Sequence, residues 1–232
     1  MLQLVYTPKW FYGEDIVIDI VSIIVLLVIA GFSLRYYFLS RKRNNLWLGL
    51  AFILMAAGLA SKVLMNFSFY YKMEFIQTLG ELTLTYQVTN VSDNLFYTGY
   101  FLMRLLTLLG LFTLYAIYHR QSWQNILLIS ALIITGTVYT QSAYYVFHIL
   151  SMLLLLLITL KFAGNCLKNP CTTTGLLAAS FSIITISEIP FSLVALHPNF
   201  YVAGESAQLV GYLLLLVAFV TILKHGKKKN KD

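Results

Sequence analysis

The sequence has few of the residues from which metal sites and many catalytic sites are built. It contains two cysteines and four histidines in 232 residues. Cys166 and Cys171 lie in one short polar connection, and a metal site would need more thiol or imidazole ligands nearby than this pair offers. The chain has no His-Glu-x-x-His, no Gly-x-Ser-x-Gly and no phosphate-binding glycine loop. We therefore expect no enzyme, no metal site and no cofactor.

Charge is also scarce. Only 11% of the residues are charged, whereas 59% are apolar and the mean hydropathy is +0.78. A soluble domain of this size could not cover so much apolar surface, so the lipid bilayer must be the solvent of the chain. The net charge of +7 comes from basic residues that flank apolar segments, which is typical of topology signals. These features predict a multi-pass protein of the cell membrane and no binding of nucleic acid.

Seven apolar segments are long enough to cross a bilayer, each with roughly 20 residues. The sequence therefore predicts an all-α polytopic protein with one seven-helix transmembrane domain over residues 1–224 and a polybasic tail over 225–232. The predicted spans are about 15–38, 46–70, 94–118, 123–140, 143–163, 172–196 and 201–224.

The distribution of lysine and arginine predicts the orientation of these spans. With the N-terminus outside and the C-terminus in the cytoplasm, twelve lysines and arginines lie at the inner side and two at the outer side. The inner set is Arg35, Arg41, Lys42, Arg43, Arg120, Lys161, Lys168, Lys224, Lys227, Lys228, Lys229 and Lys231, and the outer set is Lys9 and Lys72. This asymmetry follows the positive-inside rule. With this orientation the two cysteines face a reducing compartment, where we expect no disulfide.

The outer connection over 72–93 has a strand-like pattern. Residues 81–89 alternate apolar and polar side chains and are rich in Thr and Tyr. This alternation predicts a small β-hairpin that covers the outer face of the bundle. An amphipathic helix that lies on the membrane surface is the alternative interpretation.

Six ionisable residues fall inside predicted spans, where such groups are costly and mark candidate sites. They are Asp19, Lys62, Arg104, His148, Glu188 and Glu205. A rise of about 1.5 Å per residue places Asp19 and Glu205 within the first helical turn and the other four on the order of 10 Å below the outer surface. Polar neighbours three or four residues away, such as Tyr100 beside Arg104 and Gln208 beside Glu205, extend these positions into stripes on single helix faces. The stripes predict a shared polar interior in the outer half of the bundle.

Two interpretations of this polar layer remain open. In the first, Lys62 and Arg104 pair with Glu188 and one other acid, and the network fixes the register of the helices without binding anything. In the second, the same residues bind a small ligand or an ion from the outer side. Asp19 and Glu205 could also be interfacial and solvated. Pro190 frees the carbonyl of Ile186 and predicts a kink beside Glu188.

The layout, with an outer N-terminus, seven spans and short loops, resembles the seven-helix membrane regions of prokaryotic sensors. The resemblance covers residues 15–224. It implies a sensory or interaction module that signals through a cytoplasmic or membrane partner protein. The alternative is a small ion or solute transporter or channel in which Glu188 and Glu205 act as coupling carboxylates. The apolar inner halves of the spans, such as Leu213 to Leu216, favour the sensory module.

Overall fold

A computed structural model describes residues 7–79, 85–119, 122–139, 144–168 and 171–228. These residues form a short 3₁₀ turn and seven α-helices, with no strand among them, so the predicted all-α fold is confirmed. The turn is Lys9–Phe11, and the helices are α1 Glu14–Ser40, α2 Arg43–Leu79, α3 Thr85–Tyr118, α4 Trp123–Tyr139, α5 Tyr144–Lys168, α6 Thr172–Ser192 and α7 Asn199–Lys228. α6 ends four residues before the predicted limit of its span, two residues after Pro190.

Six of the seven helices are long and apolar enough to cross a membrane. Their mean hydropathies lie between 1.4 and 2.8 over the most apolar window, which indicates a multi-pass integral membrane protein. The exception is α4, which has 17 residues and a length of about 25 Å. The sequence predicted seven spans, and the described residues provide six that meet the length of a span and one shorter apolar helix.

The predicted β-hairpin over 72–93 is wrong. α2 continues to Leu79 and α3 already begins at Thr85, so helical backbone covers most of that connection, and only 80–84 lie outside the described residues. Each residue added to an existing helix gains a hydrogen bond without a new nucleation step. An isolated two-stranded hairpin, in contrast, is only marginally stable in water. The two long helices therefore extend beyond their candidate spans, which end at Ser68 and begin at Phe96.

Six helices form a closed ring in the order α1, α2, α3, α5, α6 and α7, with α7 packed against α1. α4 lies outside this ring, where it packs mainly on α3. We call the end of the bundle at which α1, α3, α5 and α7 begin the upper end, and the opposite end the lower end. Successive helices are antiparallel to each other, but the neighbours α3 and α5 run in the same direction. Two contacts show this: Arg104 lies near Phe147 in the upper half, and Tyr118 packs on Phe162 in the lower half.

The interior of the ring is apolar at mid-height. Buried side chains from all six ring helices meet there, and they include Leu26, Met55, Leu111, Ile158, Ile184 and Leu215. Glycines allow close approach in this layer. A Cβ atom on Gly58 of α2 would lie 3.1 Å from the backbone nitrogen of Thr107 in α3. This close packing of backbones is a common way to join helices in a membrane, where the hydrophobic effect between them is weak.

Candidate functional site

The most densely charged part of the interior joins α1, α2 and α7 near the upper end. The Nζ atom of Lys62 donates a hydrogen bond of 2.9 Å to Oδ1 of Asp19 and a second, short hydrogen bond to Oε1 of Glu205. Asp19, Lys62 and Glu205 are 1%, 5% and 0% exposed. We call these three residues the charge cluster. The possibility that Asp19 and Glu205 are interfacial and solvated is therefore wrong, because both carboxylates lie inside the protein beside one ammonium group.

The charge cluster contains more acceptors than donors. Oδ2 of Asp19 and Oε2 of Glu205 are buried and have no hydrogen-bond partner within the described part of the chain. When all three groups are ionised, the cluster carries one net negative charge. Buried charge without a partner is costly because the interior cannot replace water as a solvent for it. One additional positive charge between the carboxylates would remove this excess.

Asp15 lies one helical turn above Asp19 and has a very different environment. Its carboxylate accepts hydrogen bonds of 2.9 Å from the side-chain amide of Asn66 and the backbone N–H of Ile16, and one from the phenol of Tyr70. Burial and the hydrogen bond to Asp15 raise the pKa of Tyr70 above its ordinary value, so the phenol keeps its proton. Both carboxylate oxygens of Asp15 thus have hydrogen-bond partners at the first turn of α1, where the helix dipole also favours negative charge.

His148 and Glu188 form a separate buried pair between α5 and α6. Nδ1 of His148 lies 2.7 Å from Oε2 of Glu188, and the imidazole ring stacks on Phe191 with the ring centres 5.0 Å apart. Glu188 therefore pairs with a histidine, whereas the sequence suggested Lys62 or Arg104 as its partner. The lysine of α2 is directed toward α1 and α7, and this choice depends on which helices are neighbours in the ring.

The remaining candidates line the same upper half of the bundle. Arg104 is 1% exposed, donates a short hydrogen bond to the hydroxyl of Tyr100 and lies 5.7 Å from the ring of Phe147. Gln208 donates a hydrogen bond of 3.3 Å to the hydroxyl of Tyr212 on its own helix. All eight candidate residues thus lie in the upper half, in a charge cluster, a histidine–glutamate pair and two tyrosine contacts.

Asp15 was missing from the candidates, although it lies four residues before Asp19 on the same face of α1. It begins the first span, where a carboxylate is expected to be solvated. The signal that could have identified it is the antiparallel match of two stripes, since Asp15 and Asp19 face Asn66 and Lys62 in reverse order. Such a match is apparent only when α1 and α2 are known to be neighbours.

The polar groups of the upper half are packed against one another as ion pairs and hydrogen bonds. A cavity of about 690 Å³ lies at the lower end of the ring, beyond the apolar layer. The outward-facing ligand pocket stays a prediction. Among the described residues no group of three or more His, Cys, Asp or Glu side chains is placed to hold a metal ion.

These observations define a multi-pass helical membrane protein with a buried, incompletely balanced charge cluster in the upper half of a six-helix ring. Comparisons of the chain with models of protein families, with curated proteins and with solved structures found no match.

Proposed function

We propose that this protein is a non-enzymatic sensory or interaction module of the cell membrane, which responds to the binding of one monovalent cation, H⁺ or Na⁺, at the charge cluster. One observation carries the proposal: two buried carboxylates share a single ammonium, and each retains an oxygen with no partner within the described ranges. A cation that binds between these oxygens neutralises the excess charge. Binding therefore stabilises whichever packing of the helices brings the two carboxylates together.

Transmission of the signal follows from the positions of the three residues. They belong to α1, α2 and α7, so a change in their mutual distances changes how these helices pack. At the lower end, α1 and α2 are joined by exposed Arg41, Lys42 and Arg43. With the N-terminus outside, this basic segment faces the cytoplasm, where it contacts anionic lipid or a partner protein. The ion thus binds near the outer surface and the response is read at the inner surface.

Thermal unfolding of the purified protein in neutral detergent tests the proposal. NaCl is exchanged for choline chloride at constant ionic strength in one series, and the pH is varied from 5 to 8 without Na⁺ in the other. A ligand at a hundred times its Kd stabilises the folded state by about 2.7 kcal/mol. We expect the melting temperature to rise with Na⁺, with lower pH, or with both. The series that shows the rise identifies the cation.

The variant Glu205→Gln supplies the decisive comparison, because it leaves one carboxylate for one ammonium and so removes the excess charge. Asp15, Tyr144, Tyr201 and Glu188 also face the charge cluster or its neighbours. Glu188 contacts His148, and histidine is the residue type whose ordinary pKa lies within the tested pH range. The dependence that belongs to the cluster must disappear in Glu205→Gln and persist in Glu188→Gln. Equal cation and pH dependence in wild type and Glu205→Gln would refute the proposal.

A small ion or solute transporter that uses Glu188 and Glu205 is the second candidate. The burial of both carboxylates within the ring favours it, since coupling ions bind to such groups in transporters. The apolar layer between the charge cluster and the lower cavity favours the sensory module, because a transported ion would have to cross it. Flux of Na⁺ or protons into proteoliposomes that is lost in Glu205→Gln would decide for the transporter.

A further inference from the structure

The cavity at the lower end is lined by residues of all six ring helices. Its apolar wall is largely aromatic and includes Phe52, Phe162, Phe181 and Phe219. The rings of Phe162 and Phe181 stack with 5.3 Å between their centres, and Phe52 meets Phe219 edge to face at 5.7 Å. A volume of about 690 Å³ and an apolar wall with a few polar groups are typical of sites for small organic ligands.

The polar part of the lining has one sign of charge. Arg35 and Asn45 line the cavity, and Arg35 is the only charged residue among the described residues of the lining. No described carboxylate forms an ion pair with Arg35, and Arg41, Lys42 and Arg43 are exposed in the adjacent connection. A ligand whose polar group is anionic would meet favourable charge here, whereas a cationic one would be repelled.

We propose that this cavity binds an amphiphile with a hydrocarbon chain and an anionic head group. The head lies at Arg35 and Asn45, and the chain lies among the aromatic side chains inside the ring. Two sources provide this chemistry, namely a free long-chain fatty acid or one acyl chain of an anionic membrane lipid. The site is separated from the charge cluster by the apolar layer, so it does not rest on the function proposed above.

Photo-crosslinking of the full-length protein in phosphatidylcholine nanodiscs tests this site. One arm uses a fatty acid with a diazirine in its chain, and the other uses phosphatidylglycerol with the same group in one acyl chain. We expect saturable labelling of the peptides that contain Phe181 or Phe219. Saturable labelling in either arm supports the proposal and identifies the source. Labelling confined to residues that face the lipid, such as Leu160 or Val210, overturns it.

Two variants and one competition test the role of the head group. Arg35→Gln removes the charged donor, and we expect the probe concentration that gives half-maximal labelling to rise about tenfold, which corresponds to the loss of about 1.4 kcal/mol from a charge-assisted hydrogen bond. Lys42→Gln is the matched control, because this cation is exposed at the same end but does not line the cavity. Unlabelled oleate should compete, and oleyl alcohol should not. Equal competition by the two, or equal effects of the two variants, overturns the assignment.

A variant that fills the cavity provides a readout that does not depend on charge. Leu177→Trp places a larger side chain at the wall on α6, and we expect it to abolish saturable labelling in both arms. Elution of each variant as a single species in gel filtration confirms that it folds. A folded Leu177→Trp protein with unchanged labelling would place the probe elsewhere and overturn the proposal.

Discussion

Removal of charges from the charge cluster should change the free energy of unfolding in a non-additive way. At an effective dielectric constant of about 20, two unit charges 2.9 Å apart attract each other by about 6 kcal/mol. The desolvation of the buried ions offsets most of this attraction, so the net value of a buried pair is small. Removal of one partner is different, because it leaves an uncompensated buried charge at a cost of about 3–5 kcal/mol.

The single variant Glu205→Gln should therefore be mild. It leaves Lys62 paired with Asp19, removes the excess negative charge and keeps an acceptor for the ammonium, so we expect a change within about 1 kcal/mol of wild type. Asp19→Asn should behave alike. Lys62→Met leaves two carboxylates without a cation, and the double variant Asp19→Asn, Glu205→Gln leaves the ammonium without an anion. We expect each of these two proteins to lose about 3–5 kcal/mol.

Equilibrium unfolding in mixed micelles of a mild detergent and SDS measures these differences. The double variant should lose at least about 2 kcal/mol more free energy of unfolding than the two single variants lose together. A coupling energy of this size is typical of residues in one network. Glu14→Gln is the control, since this carboxylate is exposed at the start of α1 and its loss should change little. Additive single variants, or a Glu205→Gln protein as unstable as Lys62→Met, would show that the two acids do not share one lysine.

Three further predictions concern other parts of the bundle. Gly58→Ala should lower stability by about 1–3 kcal/mol in the same unfolding assay, because its Cβ would press on the backbone of α3, whereas Gly31→Ala has open space around it and should be neutral or slightly stabilising. His148→Phe should cost about 1–2 kcal/mol more than Glu188→Gln, since it keeps the ring stacking but leaves a buried carboxylate without a donor. The hydrogen bond with the Thr173 hydroxyl lowers the pKa of the exposed Cys171 thiol. In a protein without the other cysteine, a membrane-impermeant maleimide should therefore react with Cys171 faster than with a free model thiol near neutral pH. If the N-terminus is outside, this reaction should require permeabilised cells, and labelling of intact cells would reverse the proposed orientation.

Much of the fold could be predicted from the sequence, because membrane helices are specified by long apolar runs that local composition reveals. The depth of the polar layer could also be predicted, since the rise of a helix converts position into distance. The hydrogen-bond and ion-pair partners within that layer could not be predicted, because they depend on the order of the helices in the ring. Glu188 was therefore assigned the wrong partner, and the alternative that Asp19 and Glu205 are solvated at the interface was wrong, because Lys62 contacts both.

The lower cavity could not be predicted for a different reason. Its wall consists of phenylalanines and leucines at helical spacing, and in sequence these are indistinguishable from residues that fill a core or face lipid. The hairpin failed because the alternation of Thr and apolar residues over 81–89 competed with helices that were already nucleated on both sides. A local pattern of period two is a weak signal beside two long helices.

The position of α4 has a consequence for how such a protein can be assembled. The three helices before it and the three after it each form an antiparallel unit, and the two units run in the same direction because α4 returns the chain along the outside of α3. No described residue of α4 belongs to the charge cluster or to the cavity. The structural role of α4 is thus to connect the two units. Two separate three-helix chains could in principle pack side by side in the same way, and α4 joins them into one polypeptide in which each unit always has the same partner.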